Sequence, residues 1–476
     1  MITYEQIRRM ANNIRVLVIA MTEQAKSGHA GGPLGGADFI AMLYAKHLKF
    51  DVKNPRWNQR DRFFLDAGHL SAMLYATHYL FGMYTEDDLR NFRQLRSHTP
   101  GHPELDLDRG IENTSGPLGL GHAMGAGTAI AERVAYLKYR RPCGRVFSYI
   151  TDGGIQEEIS QGVGRVAGRL GLSNFILFYD SNGVQLSTRV NEVSNEATMA
   201  KYRAWDWFAL KVNGHNLEEL DEALTKARQE SRRPTLIVGK TTIAKFSTDA
   251  SGEGSFEDLV ITHGQPLSKA GASPARTIEV LGGNPENPFA IFDDVKETIQ
   301  QIVKEQSSES LKYYHESVPV PVLTYGKPVS TRAASGDILA YFAQHSDRFI
   351  CMSADMCTTD YSYKFLERCS VITCNNWLGR FLQVGVSELT MAALANGIAL
   401  QGDFIPICNT YLVFSDYMKP AIRLAAMMGL PVKYVFTHDD FRVGEDGPTH
   451  QPVEHELQLR LLEKINKNGF PSMLVF

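Results

Sequence analysis

Nowhere in the 476 residues does an apolar run approach the roughly 18 needed to cross a bilayer, so no membrane span is predicted. Charge of one sign is also lacking: 49 Lys and Arg stand against 53 Asp and Glu, which leaves no footprint for nucleic acid. Cysteine is sparse. The six (at 143, 351, 357, 369, 374 and 408) show no CxxC spacing and read as reduced thiols of a cytoplasmic protein. The N-terminus has no signal-peptide pattern either, because its apolar stretch is short and no small-residue cleavage site follows. Ile7, Met10, Ile14, Val18 and Met21 instead recur at helical spacing, predicting a surface-to-core helix.

What is present is alternation. Short apolar, β-branched runs occur at Arg145–Ile150, Phe175–Tyr179, Thr235–Val238, Phe349–Met352, Ser370–Thr373, Phe404–Asn409, Val432–Thr437 and Met473–Phe476, with helical patterns such as Ile155–Leu170 and Asn216–Arg228 between them. This is the signature of α/β folding, with doubly wound parallel sheets covered by helices on both faces. A Gly-, Pro- and Asn-rich stretch at Gly271–Pro288 and a proline-bearing connector at Ser317–Pro321 suggest a division. The expected units are an N-terminal α/β domain over 1–265, a linker region over 266–324 and a second α/β domain over 325–476.

Two strand ends carry the first chemical signal. Asp152-Gly153-Gly154 follows one apolar run, and Asp180-Ser181-Asn182-Gly183-Val184 follows the next. Neighbouring parallel strands deliver such loops to one carboxyl edge. A carboxylate, an amide oxygen and a backbone carbonyl there suit Mg²⁺ with diphosphate oxygens, and Gly153 permits close backbone approach. Read alone, the same residues serve as ordinary turn formers.

His29, His69, His102 and His263 each sit beside a glycine in a short turn-like motif. Tight turns would bring these imidazoles to a cleft for hydrogen bonding and proton transfer. Zinc lacks the HxxxH or HxH pairing it would need. Gly116-Pro117-Leu118-Gly119 opens a small-residue helix (Ala123–Ala131) and is suited to a diphosphate. Glu388 opens another apolar helix, where it is either a dipole-stabilising charge or a desolvated acid for acid–base work. Residues 437–452 gather His438, Asp446 and His450 in one polar loop after a strand.

Together, the segments GPLG, TPGHPE, GEDGPTHQP and YLVFSDYMKPAIRLAAMMGLP resemble the transketolase family, in order and at its intervals. The resemblance implies two tandem thiamine-diphosphate-binding domains, a diphosphate domain followed by a pyrimidine domain. It implies that Asp152, Asn182 and the carbonyl of Val184 bind Mg²⁺, for which Ca²⁺ or Mn²⁺ can substitute. His69, Gly116, Gly153 and Glu157 fall to the cofactor site, and Leu118 supports the thiazolium. Tyr411, Phe414 and Tyr417 pack around the aminopyrimidine near Asp355, and Glu388 hydrogen-bonds that ring. His29, His102, His263 and His450 handle protons and substrate hydroxyls; Arg332, Thr359, His438 and Asp446 bind the sugar and its phosphate. The implied reaction moves a two-carbon ketol unit from a ketose phosphate to an aldose phosphate through a cofactor carbanion, as in the pentose phosphate pathway. A cytoplasmic homodimer with its active site at the subunit interface is also implied.

The chain departs from that family at several points. Thr151 replaces the glycine before Asp152, and Leu70 stands where glycine is usual. Glu157 is kept, but Gly162 replaces the second interface glutamate and Glu158 a usual glycine. Ser387 and Leu389 flank Glu388 in place of Arg and His or Phe. Family members continue into a third, C-terminal domain. A catalytically weak binding or regulatory subunit, or a related ketol transferase such as dihydroxyacetone synthase, is the alternative reading.

Overall fold

The computed structural model describes residues 2–306, 317–318, 320–440, 445–467 and 470–476. The chain forms two compact units. The first takes residues 1–122, 144–160 and 173–310; the second takes 123–143, 161–172 and 311–476.

The first unit is built on a parallel sheet of β1 (Arg62–Leu65), β2 (Val146–Thr151), β3 (Phe175–Ser181), β4 (Phe208–Asn213) and β5 (Thr235–Lys240), in the order β1-β2-β3-β5-β4. Strands β1 and β2 are buried along their whole length and β3 at all but its last residue, as apolar runs covered on both faces must be. The edge strand β4 shows a mixed burial pattern, so its sequence reads half polar and is not recognisable as a strand. Strand β1 escapes notice for another reason: it is only four residues long and begins with a buried arginine. Arg62 is tolerated there because its guanidinium meets Glu112, itself held by Arg60 at 2.6 Å.

The N-terminal helix Tyr4–Ala25 opens with a capping box between Thr3 and Gln6. Its predicted stripe (Ile7, Met10, Ile14, Val18, Met21) is wholly buried. The predicted helix Ile155–Leu170 is broken at Glu157, whose extended ψ of 140° separates Asp152–Gln156 from Glu158–Leu170.

The second unit carries β6 (Phe349–Ser353), β7 (Phe381–Gln383), β8 (Ile405–Tyr411) and β9 (Lys433–Thr437), all parallel, in the order β7-β6-β8-β9. Two expectations fail here. Ser370–Thr373 makes only two isolated bridges, Val371 to Phe381 and Thr373 to Asn376, and the strand is Phe381–Gln383, too short to show a period. Met473–Phe476 is not a strand: Leu474 and Phe476 are exposed and find no ladder. Residues 441–444 of the polar loop and 307–316 and 319 of the expected linker lie outside the described residues.

Helix Glu388–Gln401 is apolar all round and buried along almost its whole length. It meets helix Leu120–Tyr139 backbone to backbone. A Cβ on Gly397 would lie 1.9 Å from the Met124 carbonyl oxygen, and one on Gly127 would lie 2.1 Å from that of Leu394. Thr128 seals the contact by donating Oγ1–H to the Gly397 carbonyl at 2.7 Å. Gly397→Ala should therefore cost about 1–3 kcal/mol by overpacking, read as a lower urea midpoint; an unchanged midpoint would show that the two helices part freely.

Candidate active site

Three strand ends of the first sheet meet at one carboxyl edge. At the exit of β1, Asp66 is wholly buried, and its carboxylate accepts from the backbone N–H of Gly119 and of His122, both at 3.0 Å. It thereby caps the start of helix Leu120–Tyr139 and pins the Gly-Pro-Leu-Gly turn against β1. The glycines follow from that closeness. Gly119 has φ +83°, and a Cβ on Gly121 would lie 2.4 Å from the Asp66 Cα. Asp66 is absent from the expected site residues because β1 itself goes unrecognised; an acid directly after Phe-Phe-Leu is the signal that would have found it.

At the exit of β2, Asp152 Oδ1 accepts from the Tyr179 hydroxyl at 2.5 Å and Oδ2 from the Gly183 N–H at 2.8 Å. Burial pushes its carboxyl up to about 6, the negative charge of Asp180 adds to this, and the two hydrogen bonds and Lys240 oppose it. At the exit of β3, Asn182 Oδ1 accepts from the Val184 N–H at 2.9 Å, a side-chain turn that fixes the amide. Each of these oxygens keeps a free lone pair.

The histidines come from separate loops yet gather. Ring centroids lie 4.9 Å apart for His29 and His69, 5.7 Å for His29 and His263, and 5.6 Å for His69 and His263. Close approach of the loops needs Gly31, where a Cβ would sit 2.4 Å from the Thr262 carbonyl oxygen. Burial first, then mutual repulsion, drives His29 down to about 4 and His69 well below its ordinary value. Burial alone takes His263 to about 4, and His102 is lowered by burial and by Arg93. At neutral pH the cluster therefore offers uncharged rings, each with one donor and one acceptor. Nδ1 of both His29 and His263 is buried without a hydrogen-bond partner.

These groups line one cleft of about 400 Å³. It contains the histidines at 29, 69, 102 and 263, then Gly116, Leu118, Asp152, Gly153, Asn182 and Val184. Gln185, Leu186, Ser187 and Thr188 also line it and are not among the expected site residues, and Gly32, Leu70 and Thr151 complete the wall. Glu157 lies outside the lining and is exposed; its carboxyl is raised by partial burial first, then by Glu158 and Asp66.

In the second unit, Glu388 starts its helix with 9% of its surface exposed, and burial raises its carboxyl. No other side chain forms a hydrogen bond or ion pair with it among the described residues. Elsewhere in this unit the His438 ring stacks on Tyr411 (3.5 Å), Tyr411 on Phe414 (5.9 Å), and His450 meets Phe414 edge-on (5.5 Å). Tyr417 tilts against Phe414 but is 63% exposed. Arg332 Nη1 lies 3.1 Å from His438 Nε2 and donates to the Thr359 carbonyl at 3.2 Å. Asp446 acts on His438 only through its charge, and Asp355 is exposed with φ +66°. So Arg332, Thr359, His438, Tyr411, Phe414 and His450 form one group; Asp355 and Glu388 make no hydrogen bond, ion pair or ring contact with it among the described residues.

Comparison with known proteins divides the chain into two consecutive stretches. Residues 6–320 match the family described as transketolase, thiamine diphosphate binding domain, and residues 327–468 match transketolase, pyrimidine binding domain. The chain belongs to the transketolase family. It is 37% identical to transketolase of Bacillus subtilis over 96% of its own length and 73% of that protein's. Its fold matches transketolase from Leishmania mexicana with a TM-score of 0.89 at 31% identity, covering 97% of this chain and 72% of the other. A transketolase from Pichia stipitis, solved in complex with sedoheptulose 7-phosphate, matches at 0.86 and 28% identity, covering 96% and 72%.

The residues of the cleft fit what the first family description names. A divalent cation requires hard oxygens with open lone pairs, which Asp152, Asn182 and the Val184 carbonyl can supply. Nδ1 of His29 and of His263 finds no hydrogen-bond partner among the described residues.

The lowered histidines set a pH dependence. The unfolded chain takes up protons near pH 6.5, the folded chain only near 4 for His29 and His263. Stability should therefore fall as pH drops through that window and level off below it. His263→Gln should shrink the loss of urea midpoint between pH 7 and pH 5; an identical loss in variant and wild type would contradict the assignment.

Proposed function

We propose that this transketolase-family chain is a working transketolase, moving a two-carbon ketol unit from a ketose phosphate to an aldose phosphate. The observation that carries the reading is the carboxyl edge of the first sheet, where hard oxygen ligands and neutral histidines line one cleft. Thiamine diphosphate, when bound, would supply the thiazolium that accepts the electron pair as the ketose C–C bond breaks.

The chain's own residues have separate tasks. Asp152, Asn182 and the Val184 carbonyl hold Mg²⁺ against the diphosphate, with His69, Gly116 and Gly153 beside it. Leu118 supports the thiazolium ring. The neutral imidazoles of His29, His102 and His263 hold substrate hydroxyls and pass protons, since an uncharged ring can both give and accept one. Glu388, poor in solvent and with a raised carboxyl, holds a proton against the aminopyrimidine of the cofactor. Tyr411, Phe414 and Tyr417 pack on that ring, with Asp355 near it. Arg332, Thr359, His438, Asp446 and His450 recognise the sugar chain and its phosphate, the guanidinium giving a charge-assisted contact. The catalytic form is a homodimer, with the cofactor held by the first unit of one subunit and the second unit of its partner.

Titration with thiamine diphosphate and Mg²⁺, followed by assay with xylulose 5-phosphate and ribose 5-phosphate, tests the reading. Ketol transfer dependent on both additions is expected; tight binding without transfer would leave a binding subunit. Glu388→Gln should lower kcat by on the order of 10²–10⁴-fold and leave diphosphate affinity nearly unchanged; wild-type turnover would refute the role given to Glu388. Asp152→Asn should abolish the Mg²⁺ dependence of cofactor affinity in the same titration, and an unaltered metal dependence would place the cation elsewhere.

A further inference from the structure

The turn that presents Glu388 leans on one face of residues 161–170 of helix Glu158–Leu170, within the second unit. Arg165 donates from Nη2 to the carbonyl of Val384 at 3.0 Å. Its guanidinium also lies against Gly385, where φ is +74° and a Cβ would sit 3.3 Å from Nη1. Three residues earlier, on the same helix face, stands Gly162. A Cβ there would lie 2.1 Å from Thr390 Oγ1 and 3.1 Å from Ser387 Oγ. Those two hydroxyls are bonded to each other, Ser387 Oγ donating to Thr390 Oγ1 at 2.8 Å. Thr390 is only 1% exposed, so its hydroxyl has no solvent to swing into.

The rest of helix Glu388–Gln401 cannot absorb a displacement. Gly127 and Gly397 lock its middle against helix Leu120–Tyr139, and the Thr128 hydroxyl ties the Gly397 carbonyl. A side chain at 162 would thus act on the first turn alone, at the residue before Glu388 and the residue two after it.

We propose that Gly162 and Arg165 are positioning residues for Glu388, a backbone seat and a carbonyl clamp that hold residues 384–390 so that the carboxyl projects in one place. The proposal rests on the role given above to Glu388. Misplacement of a reacting group by about 1 Å costs on the order of 10²-fold in rate, so a seat this close matters without touching any reactant.

Two readouts decide it. In the cofactor-free protein, amide hydrogen exchange over residues 384–391 reports the seat itself. In the holoenzyme, exchange of the thiazolium C2 proton with D₂O reports what Glu388 does there, and diphosphate affinity serves as the control. Gly162→Ala should speed the amide exchange about tenfold, slow the C2 exchange about 10- to 100-fold and change affinity by about twofold at most. Thr390→Ala removes the colliding hydroxyl, so Gly162→Ala/Thr390→Ala should return both rates to those of Thr390→Ala. Arg165→Met, which keeps the side-chain stem, should move both rates in the same direction and serves if the glycine variant folds poorly. Wild-type exchange rates in Gly162→Ala and Arg165→Met, or a double variant no better than Gly162→Ala, would overturn the proposal. Glu388→Gln exchanging C2 at the wild-type rate would instead refute the reading of Glu388 on which the proposal rests.

Discussion

Asp180 sits wholly buried at the end of β3 and accepts hydrogen bonds from two neighbouring strand ends at once. The Tyr149 hydroxyl of β2 donates to Oδ2 at 2.8 Å, and the Thr241 hydroxyl, just past β5, donates to Oδ1. A carboxylate without solvent is costly unless its lone pairs are filled, and burial does raise this one. The two hydroxyls offset that cost and in doing so bind β2, β3 and β5 together at their carboxyl ends. Asp152 and Asn182 lie immediately beyond this clamp, so their separation is inherited from it. Even the covering helix Gly31–Met42 is fitted to it, since a Cβ on Gly36 would fall 2.3 Å from the Tyr149 hydroxyl.

The first-unit site is assembled from groups whose local environment works against them. Asp152 is short of solvent and has Asp180 as a neighbour; the histidines crowd one another in a cleft where charge is disfavoured. Such an arrangement lowers stability relative to an apolar filling, and it persists because the sheet edge and the glycine contacts leave the loops no alternative path. The unsatisfied Nδ1 atoms of His29 and His263 belong to the same pattern. A cation beside Asp152 would reverse the local logic, because it favours the ionised carboxylate that burial otherwise opposes.

Much of this was legible before any coordinates. Apolar runs ending in Asp-Gly and in Asp-Ser-Asn announced β2 and β3 and the oxygen ligands after them, since parallel strands must end at a common edge. Histidine beside glycine foretold tight loops. What stayed hidden had physical reasons. Strand β1 begins with an arginine neutralised by Glu112, a residue 50 positions away, so no local pattern reveals it, and Asp66 was lost with it. The Gly116–Gly119 turn reads in sequence as a seat for a diphosphate, whereas the structure shows Gly119, with Gly121 beyond it, first as the condition for Asp66 to cap a helix. Strand β7 is three residues long, below the length at which any period can be counted.

Gly162 shows how a sequence difference changes meaning with geometry. Considered as a residue type, it is a missing acid in a segment that keeps Glu157 five residues earlier, and suggests a weakened network. Its surroundings show that the position is filled rather than vacated. Ser387 and Thr390 reach to within a side chain's width of its Cα and bond to each other there. A glutamate restored at 162 would have to expel Thr390 from a buried site, so the substitution at 162 and the Ser-Glu-Leu-Thr sequence at 387–390 are mutually dependent. A larger side chain placed at 162 alone would therefore press first on the turn that carries Glu388, because the Thr390 hydroxyl and Ser387 already fill that space.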